Sequence, residues 1–222
     1  AESAAAMAEV AAWERDTGRG HVYSLPDAMQ RLAEARAGVA VIAGTDVSAI
    51  ALTHSTTDGM NAATLAVDWH PGDRVVTTRV EHPGGLGPLY ALRDRGTADL
   101  EILDVGDDGD DERTIAAFDA AITPGTRLVS LSHVAWTTGA VLPIAAIADV
   151  AHARGALVLV DGAQAAGAIP TRFDDLGADL YAMPAQKWLL GPEGMGALVV
   201  GPRALELTPA LAGGLSFELV NG

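Results

Sequence analysis

The stretch Val158-Leu159-Val160-Asp161-Gly162-Ala163-Gln164 is an apolar run that ends abruptly at a carboxylate and a glycine. A short apolar run bounded by turn residues is typical of a strand buried on both faces of a parallel sheet. The predicted strand Ala156–Val160 therefore delivers Asp161 to its carboxyl end. Ligands of open α/β sheets bind beyond the carboxyl ends of the strands, so functional residues are expected at this edge.

Similar runs recur along the chain and alternate with segments of helical pattern. Strands that alternate with helices indicate βαβ units. The sequence therefore predicts an α/β fold with three layers, α/β/α, and a mostly parallel sheet of about seven strands, in which one of the last two strands is antiparallel. The predicted strands are Ile50–His54, Arg74–Arg79, Leu100–Val105, Arg127–Ser132, Ala156–Val160, Leu180–Met183 and Gly196–Val200. The predicted helices are Ala4–Arg15 and Pro26–Val41 in an N-terminal segment 1–45, then Asp58–Trp69, Leu86–Arg95, Glu112–Ile122 and Ile144–Arg154.

Composition and charge narrow the classes of function. The 222 residues are 49% hydrophobic and carry a formal net charge of -15, which indicates a globular, acidic protein. That charge argues against binding to nucleic acid or to an anionic membrane surface, because both are negative. The chain has no cysteine, which excludes disulfides and thiolate-bound metals within it, and no metal site is predicted.

The sequence also sets expectations for location. No apolar run is long enough to span a bilayer, and no signal peptide is visible at the start. We therefore expect a cytoplasmic protein that does not bind membranes. The chain begins with Ala1-Glu2 rather than methionine, so further sequence is expected before it.

Lys187 is the only lysine among 14 lysine and arginine residues. A biased genome composition is one explanation for the excess of arginine, but arginine cannot form an imine, whereas a desolvated lysine amine can. Lys187 follows the predicted strand Leu180–Met183 in the segment Gln186-Lys187-Trp188-Leu189-Leu190-Gly191-Pro192-Glu193-Gly194. Its apolar neighbours favour a nucleophilic amine, and the glycines let the backbone approach a ligand closely.

Two further strand ends carry polar side chains. His54-Ser55-Thr56-Thr57-Asp58-Gly59 opens a predicted helix, where hydroxyls and amides suit a phosphate, and an ordinary N-cap is the alternative. Glu81-His82-Pro83-Gly84-Gly85 places His82 where a ligand is expected, although a surface histidine shows the same pattern. Asp161 itself suits a protonated ring nitrogen or, alternatively, a cap on the following turn.

Taken in chain order, these segments resemble the class V aminotransferase family, the cysteine desulfurase-like branch of the fold-type-I enzymes that use pyridoxal phosphate (PLP). The likeness covers essentially the whole chain, and VDGAQ (160–164) and KWLLGPEG (187–194) are its specific motifs. It implies that residues 1–222 form the PLP-binding large domain. It also implies that the extreme N-terminus and a small C-terminal domain lie outside this sequence.

The resemblance implies a role for each matched residue. Lys187 would form the Schiff base with PLP and later move a proton. Asp161 would pair with the pyridinium nitrogen, and His82 would stack on the ring. The residues that would bind the oxygen atoms of the cofactor are Gln164 at the 3-oxygen, with Thr56, Thr57 and Gln186 at or near the phosphate.

Two positions depart from the family pattern. Family members often carry Ser-Gly-His before the lysine, where this chain has Pro184-Ala185-Gln186. Proline offers neither a hydroxyl nor a backbone N–H, so part of the phosphate site must differ. Desulfurases commonly have asparagine where Trp136 stands. Both changes argue against a standard desulfurase that supplies iron–sulfur clusters.

The resemblance implies an enzyme that acts at the α-carbon of an amino acid, with C–S cleavage, as in desulfurases and C–S lyases, as the leading reaction. Transamination by a class V aminotransferase and amino-acid epimerisation are alternatives on the same scaffold. A nucleotide-binding α/β domain without PLP, or an inactive scaffold, is a remote alternative, since no G-x-G-x-x-G follows the first strand. Family sites lie between subunits and residues 205–220 are mostly apolar, so a homodimer is expected.

Overall fold

The computed structural model describes residues 2–18, 20 and 24–210 of the chain. Within them, one sheet contains the strands β1 (Ile50–Thr53), β2 (Arg74–Thr78), β3 (Asp99–Leu103), β4 (Thr126–Ser132), β5 (Leu157–Asp161), β6 (Leu180–Pro184) and β7 (Gly196–Val200). The helices are α1 (Glu2–Thr17), α2 (Ser24–Ala43), α3 (Thr56–Ala66), α4 (Pro83–Asp94), α5 (Asp111–Ala121), α6 (Ile144–His152) and α7 (Phe173–Leu176).

The strands follow the order β1-β7-β6-β5-β4-β2-β3 across the sheet. Strands β2 to β6 run parallel to one another, whereas β7 is antiparallel to both β6 and β1. A parallel connection needs a crossover of a dozen or more residues, and only residues 185–195, without a helix, join β6 to β7. The predicted mostly parallel sheet of about seven strands is therefore confirmed, with the antiparallel strand among the last two.

Helices cover both faces of the sheet. Successive strand residues point to opposite faces, so the apolar strands place side chains on both faces that must be buried. On one face, Val75 of β2 packs in a cluster with Met60 of α3 and Leu89 of α4. On the other face, Val76 belongs to a cluster that includes Phe118 of α5. The predicted α/β/α layering is confirmed, and it buries the central strands on both faces.

Two helices that lead away from the sheet begin earlier than the sequence pattern indicates. Helix α3 begins at Thr56, two residues early, because the Ser55 hydroxyl accepts the backbone N–H of Asp58 at 3.0 Å. Helix α4 begins at Pro83, three residues early, because Nδ1 of His82 accepts a backbone N–H from the first turn. Both predicted ligand-binding segments are therefore helix starts.

The helical segment predicted for residues 1–45 contains α1 and α2. Helix α2 buries Ala40 and Ala43 in the main core, whereas every residue of α1 keeps some exposure. In the described parts of the chain, no helix combines the length and the hydrophobicity that a membrane crossing requires. The apolar residues 205–220, from which burial in a dimer is predicted, lie outside the described residues from position 211 onward.

Gly162 should tolerate no side chain. A Cβ atom at this position would lie 2.1 Å from Cε1 of Tyr181, an almost fully buried ring on β6. Gly162→Ala should therefore lower the free energy of unfolding by roughly 1–3 kcal/mol through overpacking. Gly87→Ala in α4 is the control, because no atom lies within 4 Å of its Cβ position, and it should keep or raise stability. Equal effects of the two substitutions in urea unfolding would contradict this account.

Candidate active site

The predicted site residues gather at one edge of the sheet. Strands β1, β2, β5 and β6 run in the same direction, so their carboxyl ends lie together at that edge. The residues are Thr56 and Thr57 after β1, His82 after β2, Asp161 and Gln164 at and after the end of β5, and Gln186 and Lys187 after β6.

Asp161 is the last residue of β5 and is only 6% exposed. Its Oδ1 atom accepts the backbone N–H of Ala163 at 2.9 Å. Burial raises the pKa of this carboxyl above its usual range, although the Ala163 hydrogen bond and the charges of Lys187 and His82 act in the opposite direction. These two side chains are therefore near enough to act on Asp161 electrostatically, but they do not offset the cost of its burial.

His82 is held by the start of α4. Its Nδ1 atom accepts the backbone N–H of Gly84 at 3.0 Å, so in the neutral ring Nε2 carries the proton. The rings of His82 and Trp136 meet nearly perpendicular, with centroids 5.3 Å apart. The imidazole is therefore fixed by a hydrogen bond on one side and an aromatic contact on another.

The first turns of α3 and α4 meet beside the site. Ser55 provides the N-cap of α3, which leaves the two threonines that follow available for other contacts. Thr57 is exposed, and a Cβ on Gly84 would lie 2.4 Å from its Oγ1 atom. Thr56 is 8% exposed, and its hydroxyl has no hydrogen-bond partner among the described residues. Helix N-termini carry partial positive charge and unpaired N–H groups, so this junction suits a phosphate.

Lys187 lies in a tight loop between β6 and β7. The backbone N–H of Gly191 donates to the carbonyl of Ala185 at 2.8 Å, which closes the loop around Lys187. Leu190 adopts a left-handed backbone conformation with a φ of 57°, which is uncommon for a residue other than glycine. Lys187 is partly buried, while Gln186 is exposed. Local backbone strain of this kind is often found at functional sites.

Pro184 and Trp136, the two positions where this chain departs from the family pattern, both lie close to the site. Pro184 is buried as the last residue of β6 and pairs with Gly196 of β7. It therefore belongs to the sheet, and the loop around Lys187 begins after it. Trp136 is 47% exposed and supports the His82 ring from the side.

Sequence patterns indicate no role for two residues that contact the site. Nε1 of Trp188 donates to Oε1 of Gln164 at 2.9 Å. An indole N–H only donates, so this contact orients the amide and leaves its NH₂ group for another partner. Glu81 is 6% exposed, with its carboxyl against Ser132 of β4. The signal that points to Glu81 is its place, directly after a strand and before the cap of a helix.

Comparison with known families agrees with this geometry. The model of the family described as aminotransferase class-V matches residues 4–221. The chain belongs to this family. The resemblance drawn from the motifs around Asp161 and Lys187 is thereby confirmed for class V as a whole.

Relatives and solved structures in the family share much of this chain. A probable cysteine desulfurase of Halobacterium salinarum is 36% identical over 187 residues, which cover 82% of this chain and 44% of the relative. A cystine C–S lyase in complex with its reaction product, cysteine persulfide, is 31% identical and gives a TM-score of 0.89 over 95% of this chain and 57% of the lyase. A mutant of that lyase with glycine covalently linked to its PLP cofactor is 31% identical and gives a TM-score of 0.86 over 95% of this chain and 56% of the mutant. The chain thus spans about half the length of these proteins.

Proposed function

We propose that this chain is the PLP-binding large domain of an enzyme that acts at the α-carbon of an amino acid and cleaves a C–S bond. The observation that carries the proposal is the grouping of the sole lysine, Lys187, with the buried Asp161 and the partly buried His82 at the ligand-binding edge of a mostly parallel sheet. The reaction class is supported by the matched probable cysteine desulfurase and the matched cystine C–S lyase.

The residues fit PLP in charge. The bound cofactor supplies an aldehyde carbon for attachment and a ring that draws negative charge away from the substrate α-carbon. Asp161 would hold the proton of the ring nitrogen, and that cation would offset the burial that now raises the pKa of the carboxyl. His82, fixed by its hydrogen bond to Gly84 and by Trp136, would present its ring to the cofactor.

Lys187 has two tasks in this proposal. Its Nζ atom would hold the cofactor covalently while no substrate is present. When released from the cofactor, Nζ would be the base that removes the proton from the substrate α-carbon. The hydrogen bond from Gly191 to Ala185 fixes the loop backbone on both sides of the lysine.

The remaining residues would bind the oxygen atoms of the cofactor. The proposed phosphate site consists of the Thr56 hydroxyl, which has no partner among the described residues, the exposed Thr57, and the amides at the starts of α3 and α4. Gln186 lies beside it. The 3-oxygen of the cofactor accepts hydrogen bonds, so it requires a donor from the protein. The NH₂ group of Gln164 is that donor, because Trp188 occupies the amide oxygen.

Lys187 should be the residue that attaches PLP. Borohydride reduction of the full-length protein loaded with PLP should leave a pyridoxyl mass on the Lys187 peptide and remove the visible absorbance band. Lys187→Arg keeps the charge but cannot form an imine, so it should show neither the band nor the label. A label on the N-terminal amine alone, or on no peptide of the wild type, would refute the proposal.

The Thr57 hydroxyl should contribute directly to PLP affinity. A charge-assisted hydrogen bond to phosphate is worth roughly 1.5–3 kcal/mol, so Thr57→Val should weaken PLP binding by about 10- to 150-fold in an equilibrium titration. Ser55→Ala is the control, because loss of the N-cap should cost about 1 kcal/mol of folding stability and change PLP affinity less. If Ser55→Ala loses affinity and Thr57→Val does not, the assignment of the phosphate site is wrong.

We also propose that the functional unit is a homodimer. Trp136, Trp188 and Gln164 line an open cavity of about 300 Å³, and none of the described residues around it is charged. Trp188 and Leu190 are 56% and 77% exposed, and exposed apolar surface beside a site suits a subunit interface. Light scattering of the full-length protein should give twice the monomer mass. A monomer with full activity would exclude the dimer.

A further inference from the structure

Glu81 bridges two strand ends underneath the site. It lies between β2 and α4 and is 6% exposed. Its Oε1 atom accepts the Thr78 hydroxyl at 2.5 Å, and its Oε2 atom accepts the Ser132 hydroxyl at 2.5 Å. Thr78 ends β2 and Ser132 ends β4, which is the next strand in the sheet. The carboxyl therefore ties these two strand ends together directly before His82.

The same bridge leads to Asp161. Ser132 is the register partner of Asp161 between β4 and β5, so their side chains lie side by side on the same face of the sheet. The charge of Asp161 acts on Glu81 and helps to raise its pKa. Two buried carboxyls thus lie beside Ser132, since Glu81 accepts its hydroxyl and Asp161 is its register partner. Among the described residues, Glu81 forms no salt bridge.

A buried carboxyl that only linked two hydroxyls would cost more free energy than a neutral group in the same place. Two hydroxyls are linked equally well by a neutral amide, which donates to one and accepts from the other. Burial of Glu81 raises its pKa from 4.5 to about 7, despite the hydrogen bonds from Ser132 and Thr78 that favour the charged form. The group therefore changes charge near neutral pH, close to the carboxyl proposed to hold the cofactor's ring proton.

We infer that Glu81 is a positioning residue: its carboxyl holds His82 and Asp161 in their relative places, and its negative charge strengthens the hold of Asp161 on the proton of the cofactor's ring nitrogen. This inference rests on the proposed PLP site. The polar and charged groups involved come from each of the elements packed around Glu81. They are the hydroxyls of Thr78 on β2 and Ser132 on β4, Asp161 on β5, and the charges of His82 and Lys187 that act on Asp161.

Glu81→Gln separates the charge from the bridge, because glutamine keeps the shape and the capacity to bond both hydroxyls. In the protein without cofactor, the folded state binds the Glu81 proton up to about pH 7, whereas the unfolded state releases it near 4.5. The contribution of Glu81 to the free energy of unfolding is therefore greatest at low pH. It is lost as the pH rises from about 4.5 to about 7. The Tm of Glu81→Gln should accordingly fall less than that of the wild type between pH 5 and 8.

The decisive readout is the pH titration of the visible absorbance band of the protein loaded with PLP. The band reports the proton on the imine nitrogen, and a nearby negative charge favours that proton as well as the one on the ring nitrogen. The midpoint should therefore fall by roughly 0.5–1 pH unit in Glu81→Gln. Ser132→Ala breaks the bridge but leaves the Glu81 carboxyl in place, so it should weaken PLP binding several-fold. Because the lost hydroxyl favours the charged form of Glu81, the midpoint should fall less in this variant than in Glu81→Gln. Glu112→Gln removes an exposed carboxylate in the first turn of α5 and should leave the midpoint unchanged.

A wild-type midpoint in Glu81→Gln, with the band present, overturns the role of the charge while leaving the proposed function intact. Unchanged PLP affinity in Ser132→Ala overturns the role of the bridge. Absence of the band from the wild type overturns the proposed function and this role with it. Because the Tm comparison needs no cofactor, an unchanged pH dependence of Tm in Glu81→Gln refutes the buried titration independently of PLP.

Discussion

Burial of the central strands on both faces is the constraint on which the rest of the structure depends. Val158, Leu159 and Val160 have no exposed surface, so helices must cover both sides and the backbone must pair within the sheet. Parallel pairing requires long crossovers, and these bring the carboxyl ends of successive strands to one edge. Polar residues at and after the ends of these strands, such as Asp161 and His82, meet there for that reason.

The chain is strongly acidic, yet the candidate site concentrates the features that bind anions. It contains the single lysine and the adjoining N-termini of α3 and α4, whose partial positive charge favours a phosphate. Two buried carboxyls, Asp161 and Glu81, lie at the same edge of the sheet. Both have raised pKa values because burial disfavours their charge, and a cationic ring would relieve that cost at Asp161.

Close approach between elements explains several glycines in the motifs. Gly84 leaves room for the Thr57 hydroxyl, so the starts of α3 and α4 come together. Gly162 leaves room for the Tyr181 ring directly after Asp161. At Gly167, with a φ of 86°, a Cβ would lie 2.8 Å from the carbonyl oxygen of Trp188. These contacts pack the loops after β1, β2, β5 and β6 around a common edge.

The sequence by itself determined the α/β class, the mostly parallel sheet and the strand ends that carry Asp161, His82 and Lys187, because apolar runs and turn residues are local patterns. It also carried the family motifs, while the roles of the individual site residues stay predictions. Only the tertiary structure decided that Glu81 contacts Ser132, 51 residues away, and that Trp188 orients Gln164, 24 residues away. Such contacts depend on which strands become neighbours and in which register, and no local pattern records either choice.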